Sequence, residues 1–140
     1  PFGGLWCSVP AAMKSLEPRR FERWLIVLIA LHSIAVGIAL LVFTDWSTDF
    51  GGWGPAEPRF FARQAGVFHI VVALGYLVEY LRYRGVGLLV LAKSIAVVFL
   101  LSASILGDGT TWAVPWSALG DGLMAAAVIL VHRWAHRSAV

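Results

Sequence analysis

The sequence predicts an all-α fold, a transmembrane four-helix bundle with antiparallel up-down topology and both termini in the cytoplasm. Of its 140 residues, 59% are hydrophobic and only 14% are charged, whereas charged residues make up about a quarter of an ordinary soluble domain. The mean hydropathy of +0.79 agrees with this composition. Four apolar segments reach the length of about 20 residues that a helix needs to cross the hydrocarbon core, and helices satisfy their own backbone hydrogen bonds in lipid.

The predicted spans lie within a transmembrane domain of residues 21–135. They cover residues 24–43, 60–81, 86–107 and 112–131. The first span has only His32 and Ser33 as polar interruptions, and Pro58 suits the start of the second. A cytoplasmic or interfacial segment is expected at residues 1–20, where Met13 resembles a natural start, and a short cytoplasmic tail is expected at residues 136–140.

Three connections separate the spans. Residues 44–58 are rich in glycine, proline and aspartate and have no apolar period, which predicts a loop. Tyr83-Arg84-Gly85 and residues 107–111 predict tight turns, and Thr111 is a candidate N-cap of the fourth span. Because the last two connections are short, the second, third and fourth spans are expected to be sequential antiparallel neighbours.

The basic residues in the flanks and at the ends of the spans predict how the chain is oriented. Eight of them flank one side: Lys14, Arg19, Arg20, Arg23, Arg82, Arg84, Arg133 and Arg137. Only Arg59 and Arg63 fall on the other side, together with acidic residues such as Asp45 and Glu57. Since cytoplasmic flanks carry the excess of lysine and arginine, both termini are predicted to face the cytoplasm from a bacterial inner membrane.

Ionisable side chains inside the spans are candidate functional residues, because charge is costly in lipid. Lys93 and Asp121 lie on the third and fourth spans and are predicted to form a buried ion pair or to share a proton. Glu79, near the cytoplasmic end of the second span, is the competing partner of Lys93, and Tyr76 belongs to the same polar network. Such a network stabilises the bundle, relays protons or ions, or contacts a partner subunit or ligand.

His32 and His69 form a second group near mid-depth on the first and second spans. Imidazole is a good ligand for haem iron and for the magnesium of a bacteriochlorophyll, so these residues are candidate cofactor ligands. Gly66 and Ala73 lie on the His69 face, where small residues admit either a flat ring or the close approach of another helix. Structural hydrogen bonding and proton handling are the alternative roles of the two histidines.

Several function classes have no support in the sequence. It carries no HExxH, P-loop, Gly-x-Ser-x-Gly or CxxC motif, so neither an enzyme nor a metal site is predicted. His132 and His136 lie in the basic tail and are expected to be solvated or bound to lipid headgroups. The basic residues sit between apolar blocks, which membrane topology explains, so nucleic acid is not an expected partner. Bound lipids and other membrane subunits are the expected partners.

Short motifs resemble those of a known group of proteins. Phe61-Ala62-Arg63-Gln64-Ala65-Gly66 opens the second span, Ala92-Lys93 lies in the third, and Gly120-Asp121 lies in the fourth. Over roughly residues 20–135 this pattern resembles small, broadly DoxX-like bacterial membrane proteins with four helices. The resemblance implies the four-helix bundle and a matching role for Lys93 and Asp121, and it implies no activity.

The sequence favours a non-catalytic accessory subunit of a larger bacterial membrane complex, such as those of respiratory or photosynthetic membranes. The exposed loops are too small for an independent binding domain, and a four-helix unit offers lateral faces for docking. One alternative is a haem- or chlorophyll-binding electron-transfer or pigment subunit that uses His32 and His69. Another is a small proton-coupled transporter that uses Lys93 and Asp121.

Overall fold

The structure, a computed structural model, describes residues 11–107 and 111–137, with side chains from Pro18 onward. All regular structure in these residues is helical: α1 (Ala11–Val42), α2 (Thr44–Phe50), α3 (Arg59–Tyr83), α4 (Gly87–Leu106) and α5 (Ala113–Arg137). All of these helices except α2 are long and apolar enough to cross a membrane. The predictions of an all-α fold and of four helices of membrane-spanning length are therefore confirmed.

The first and last spanning helices extend further than the apolar segments that predict them. α1 begins at Ala11 and includes Pro18, so half of the predicted N-terminal segment is helical. α5 continues to Arg137, beyond the predicted end of the span at residue 131. Alanine, methionine, lysine, leucine and glutamate, which open α1, favour helix whether or not they lie in lipid. Residues 1–10 and 138–140 lie outside the part that the structure describes.

The segment predicted as a loop contains α2, so the prediction is wrong for residues 44–50. α2 follows α1 after one residue, and the hydroxyls of Thr44 and Thr48 donate to the carbonyl oxygens of Leu40 and Thr44 at 2.9 and 3.2 Å. The rings of Trp46 and Phe50 also stack, with centroids 5.5 Å apart. These contacts stabilise a short polar helix, which the glycine, proline and aspartate content of residues 44–58 does not predict.

The spanning helices pack as two pairs. α1 packs most extensively against α3, and α4 packs against α5, while a smaller contact between α1 and α5 joins the pairs. Their shared apolar core contains Ile26, Ile29, Tyr76, Tyr80, Leu89 and Val128. α3 and α4 contact each other little, which corrects the expectation that the short turn makes them close neighbours along their length.

Gly37 of α1 and Gly66 of α3 allow the closest approach between those helices. A Cβ atom added to Gly66 would lie 2.6 Å from the Gly37 carbonyl oxygen, and one added to Gly37 would lie 2.7 Å from the Gly66 carbonyl oxygen. Real Cβ atoms essentially never come so near to backbone atoms. Of the two roles predicted for the small residues near His69, Gly66 therefore serves helix approach.

The turns end their helices in the left-handed backbone region. Arg84 has φ 56° and donates its backbone N–H to the carbonyl oxygen of Tyr80, while Gly107 has φ 73° and donates to Ala103. Both arrangements satisfy carbonyl groups at a helix C-terminus. Thr111, the candidate N-cap, donates its hydroxyl to the carbonyl oxygen of Gly51 and so ties the start of α5 to the segment after α2.

Candidate functional site

A cavity of about 690 Å³ lies among the four spanning helices. Each helix contributes one ionisable side chain to its lining: His32 from α1, His69 from α3, Lys93 from α4 and Asp121 from α5. A smaller cavity of about 180 Å³ shares the last three and adds Tyr76. We call the two cavities together the polar cleft. The two groups of residues predicted separately from the sequence thus line a single space.

The rest of the lining of the larger cavity is mostly apolar. Phe99, Trp116 and Leu123 form part of its edge, and their side chains are exposed on the surface of the bundle. The cleft thus combines four ionisable side chains with an apolar rim that is exposed on the surface of the bundle. This arrangement suits a molecule with a polar head and an apolar body.

The predicted ion pair lies inside the polar cleft. The Nζ atom of Lys93 is 2.5 Å from Oδ1 of Asp121, and the two side chains are only 6% and 17% exposed. A lone charge at this depth costs about 2.5–3.5 kcal/mol on insertion scales, and the opposite charge offsets that cost. The pair also links α4 to α5 at the point where both line the cavity.

Glu79 is not a partner of Lys93, contrary to the alternative that the sequence leaves open. Its carboxylate accepts hydrogen bonds from the backbone N–H groups of Gly87 and Leu88, at 3.1 and 2.9 Å. These are unpaired donors at the N-terminus of α4, where the helix dipole also favours negative charge. The short turn after α3 brings Glu79 to them, so Glu79 caps α4 and lies apart from the polar cleft.

Tyr76 lies both in the apolar core and at the edge of the polar cleft. It is only 3% exposed and belongs to the apolar core, and it also lines the smaller cavity beside Lys93 and Asp121. The predicted network therefore consists, in the structure, of an ion pair with a tyrosine beside it.

His32 and His69 are both exposed side chains on neighbouring helices. The backbones of α1 and α3 touch at Gly37 and Gly66, and a Cβ atom added to Gly37 would lie only 3.2 Å from Cβ of His69. No flat ring fits between two helices that are this close. A tetrapyrrole held by either histidine would therefore not lie between α1 and α3 at this point.

A further cluster joins the N-terminal half of α1 to the last part of α5, and the sequence does not predict it. Nδ1 of His132 is 2.5 Å from Oε1 of Glu22, which is only 4% exposed. Nδ1 of His136 donates to the carbonyl oxygen of His132 at 2.9 Å. The expectation that both histidines are simply solvated or bound to headgroups is wrong for His132. The only local signal is their spacing of four, because Glu22 is 110 residues away from His132.

The two arginines on the predicted outer side both contact α2 or its start. Arg59 forms an ion pair with Asp45 at 2.6 Å, and Nε of Arg63 donates to the hydroxyl of Thr44 at 3.4 Å. Asp45 therefore neutralises part of the small basic charge on this side.

Comparison of the chain with protein-family models, with curated proteins and with solved structures finds no match. The resemblance to DoxX-like proteins therefore stays a prediction. The chemistry of the polar cleft is the remaining guide to function.

Proposed function

We propose that this protein is a non-catalytic membrane subunit whose polar cleft binds a small amphipathic molecule within a larger bacterial membrane assembly. One observation carries the proposal: each of the four spanning helices places one ionisable side chain in the same cavity. Ionisable residues in a membrane segment are rare and face the bundle interior or a cavity. Convergence from four helices favours a site over isolated structural contacts.

A purely structural role accounts for only half of these residues. The ion pair of Lys93 and Asp121 satisfies both charges and joins α4 to α5. His32 and His69 add hydrogen-bonding nitrogen atoms to the same cavity while their side chains stay exposed. The cavity volume of about 690 Å³ also falls within the range of about 300–1,000 Å³ that is typical of ligand pockets.

The lining indicates the class of ligand. Imidazole, ammonium and carboxylate groups bind a polar head or ligate a metal at the centre of a ring, and the apolar rim packs against a hydrophobic body. Haem, bacteriochlorophyll and a quinone all have this character. Because α1 and α3 touch beside the histidines, a tetrapyrrole bound here would lie in the cleft on one side of both helices.

The proposed setting is the bacterial inner membrane, with up-down topology and both termini in the cytoplasm. The distribution of lysine and arginine supports this orientation. The contact of Glu22 with His132, which joins the N-terminal half of α1 to the last part of α5, is consistent with termini on one side. The apolar outer faces of the helices are available to lipids and to partner subunits.

The test is to purify the full chain from its native membrane in mild detergent, record its absorption spectrum and identify bound small molecules by mass spectrometry. A stoichiometric ligand is expected, with a Soret or near-infrared band if it is a tetrapyrrole. His32→Ala and His69→Ala should release it, whereas Ser94→Ala, on the exposed side of α4, should retain it. Protein that carries no stoichiometric ligand, or histidine variants that keep it fully, would contradict the proposal.

A second candidate is proton-coupled transport, which the placement of Lys93 and Asp121 in the cavity lining favours. A carboxylate paired with an ammonium inside the membrane can exchange a proton when a substrate or a conformational change separates them. The test is proton flux in liposomes that contain the purified chain. Asp121→Asn should abolish a flux that the wild type supports, and an unchanged flux would remove this candidate.

A further inference from the structure

The cluster between the N-terminal half of α1 and the last part of α5 has the composition of a metal site. Glu22, His132 and His136 each offer one ligand atom, and these atoms all lie within 4.8 Å of one another. We propose that the three residues bind a divalent transition-metal ion, with Zn²⁺ the best match. This site is separate from the polar cleft and does not rest on the function proposed above.

The geometry requires only small shifts around the ion: Glu22 and His132 move slightly apart, and His136 moves closer. Ligand atoms in a tetrahedral zinc site, with bonds of about 2.0–2.1 Å, lie about 3.3 Å apart. Oε1 of Glu22 and Nδ1 of His132 are already 2.5 Å apart, and the ring centroids of His132 and His136 are separated by 4.1 Å. His136 is exposed near the end of α5, and its ligand atom lies within 4.8 Å of the other two, so a small shift of its side chain brings the third ligand into range.

The hydrogen bond of His136 selects the nitrogen atom that binds. Its Nδ1 donates to the carbonyl oxygen of His132 at 2.9 Å, which leaves the lone pair of Nε2 for a metal. A backbone carbonyl that fixes the tautomer in this way is a common partner of ligating histidines. The zinc ion takes the place of the proton that His132 and Glu22 share, and this proton is released to the solvent.

A role limited to joining α1 and α5 explains less of the cluster. The ion pair of Glu22 and His132 is sufficient for that role, and His136 adds nothing to it except a second imidazole one helical turn away. Arg133 and Arg137 lie nearby in sequence on α5 and oppose the binding of cations by charge alone. The site is therefore not a general cation site. Its two imidazole ligands favour zinc over Ca²⁺ or Mg²⁺, because those two ions prefer oxygen ligands.

The experiment is a zinc titration of the untagged full chain, stripped of metal and held in detergent, followed by isothermal calorimetry in two buffers of different ionisation enthalpy. One zinc ion per chain and the release of a proton are expected, and zinc should raise the melting temperature. His136→Ala should weaken binding at least about tenfold, because even outer-sphere partners of a metal contribute 10–100-fold. Leu130→Ala, the control at an uncharged and exposed position on α5, should bind as the wild type does.

His136→Ala leaves the contact between Glu22 and His132 in place, so it separates metal binding from helix packing. Circular dichroism should show the same helix content in this variant as in the wild type. Equal zinc affinity in His136→Ala and the wild type would place the binding elsewhere and overturn the proposal. Absence of zinc binding by the folded wild type, or Ca²⁺ binding of equal strength, would also overturn it.

Discussion

Lys93 and Asp121 hold opposite charges inside the bundle, and the 2.5 Å separation of their atoms leaves neither charge unpaired. Replacing one partner leaves the other as an isolated charge, which typically costs about 3–5 kcal/mol in a buried pair. Replacing both removes the charge and most of the cost. The loss of stability is therefore expected to be larger in a single variant than in the double variant.

Lys93→Leu is expected to lower the free energy of unfolding by about 3 kcal/mol, because Asp121 is left unpaired. The double variant with Asp121→Asn should recover much of this loss. Equilibrium unfolding in mixtures of mild detergent and SDS measures both. A double variant no more stable than Lys93→Leu would show that the two side chains do not depend on each other.

Glu79 contributes to stability through the N-terminus of α4, where its carboxylate accepts two backbone hydrogen bonds. Glu79→Ala should therefore cost about 1 kcal/mol, the usual effect of removing a helix cap. Leu81→Ala, at an exposed position on the same helix, is the control in the same unfolding assay. An equal effect of the two substitutions would contradict the capping role.

At the scale of helices, apolar length predicts the four spans, because a bilayer imposes a minimum length on each. It does not predict α2, whose hydrogen bonds from Thr44 and Thr48 are invisible in the composition of residues 44–58. Nor does the length of a connection predict which helices pack against each other. α1 and α3 approach through Gly37 and Gly66. Such a contact depends on residues of both helices together, so the sequence of one helix alone does not predict it.

Gly66→Ala tests the contact between α1 and α3. The added methyl group would lie 2.6 Å from a backbone oxygen, and overpacking of this kind typically costs about 1–3 kcal/mol. Gly120→Ala is the matched control, because its Cβ would meet no atom within 4 Å and alanine favours helix. Thermal unfolding in detergent should therefore separate the two variants, and equal melting temperatures would contradict the close approach.

For the whole molecule, the sequence identifies the candidate site residues more readily than it predicts which of them lie close together. His32, His69, Lys93 and Asp121 stand out individually because ionisable groups are rare in lipid. Their convergence on one cavity depends on the packing of four helices. The contact of Glu22 with His132 joins the two ends of the helical domain, and no local pattern predicts a pairing across such a distance in the chain.

The distribution of basic residues predicts the orientation of the whole chain, and thiol labelling tests this prediction. Cys7 reports on the N-terminal side, while Ser138→Cys and Ala56→Cys, each in a Cys7→Ser background, report on the C-terminal end and on the connection between α2 and α3. In intact cells an impermeant thiol reagent should label only the Ala56→Cys variant, since the basic flanks are predicted to stay in the cytoplasm. Labelling of just one of the two terminal cysteines would contradict an even number of crossings.

The most direct test of the central claim is to fill the polar cleft without disturbing the bundle. Gly120 lines the larger cavity, and an added Cβ there meets no atom within 4 Å, so Gly120→Phe should fold and occupy the space of the ligand. Leu119→Phe, at the exposed neighbouring position, is the control. Native mass spectrometry should show the co-purified ligand on the wild type and on Leu119→Phe and its loss from Gly120→Phe. Full retention by a folded Gly120→Phe variant would show that the cleft is not the binding site.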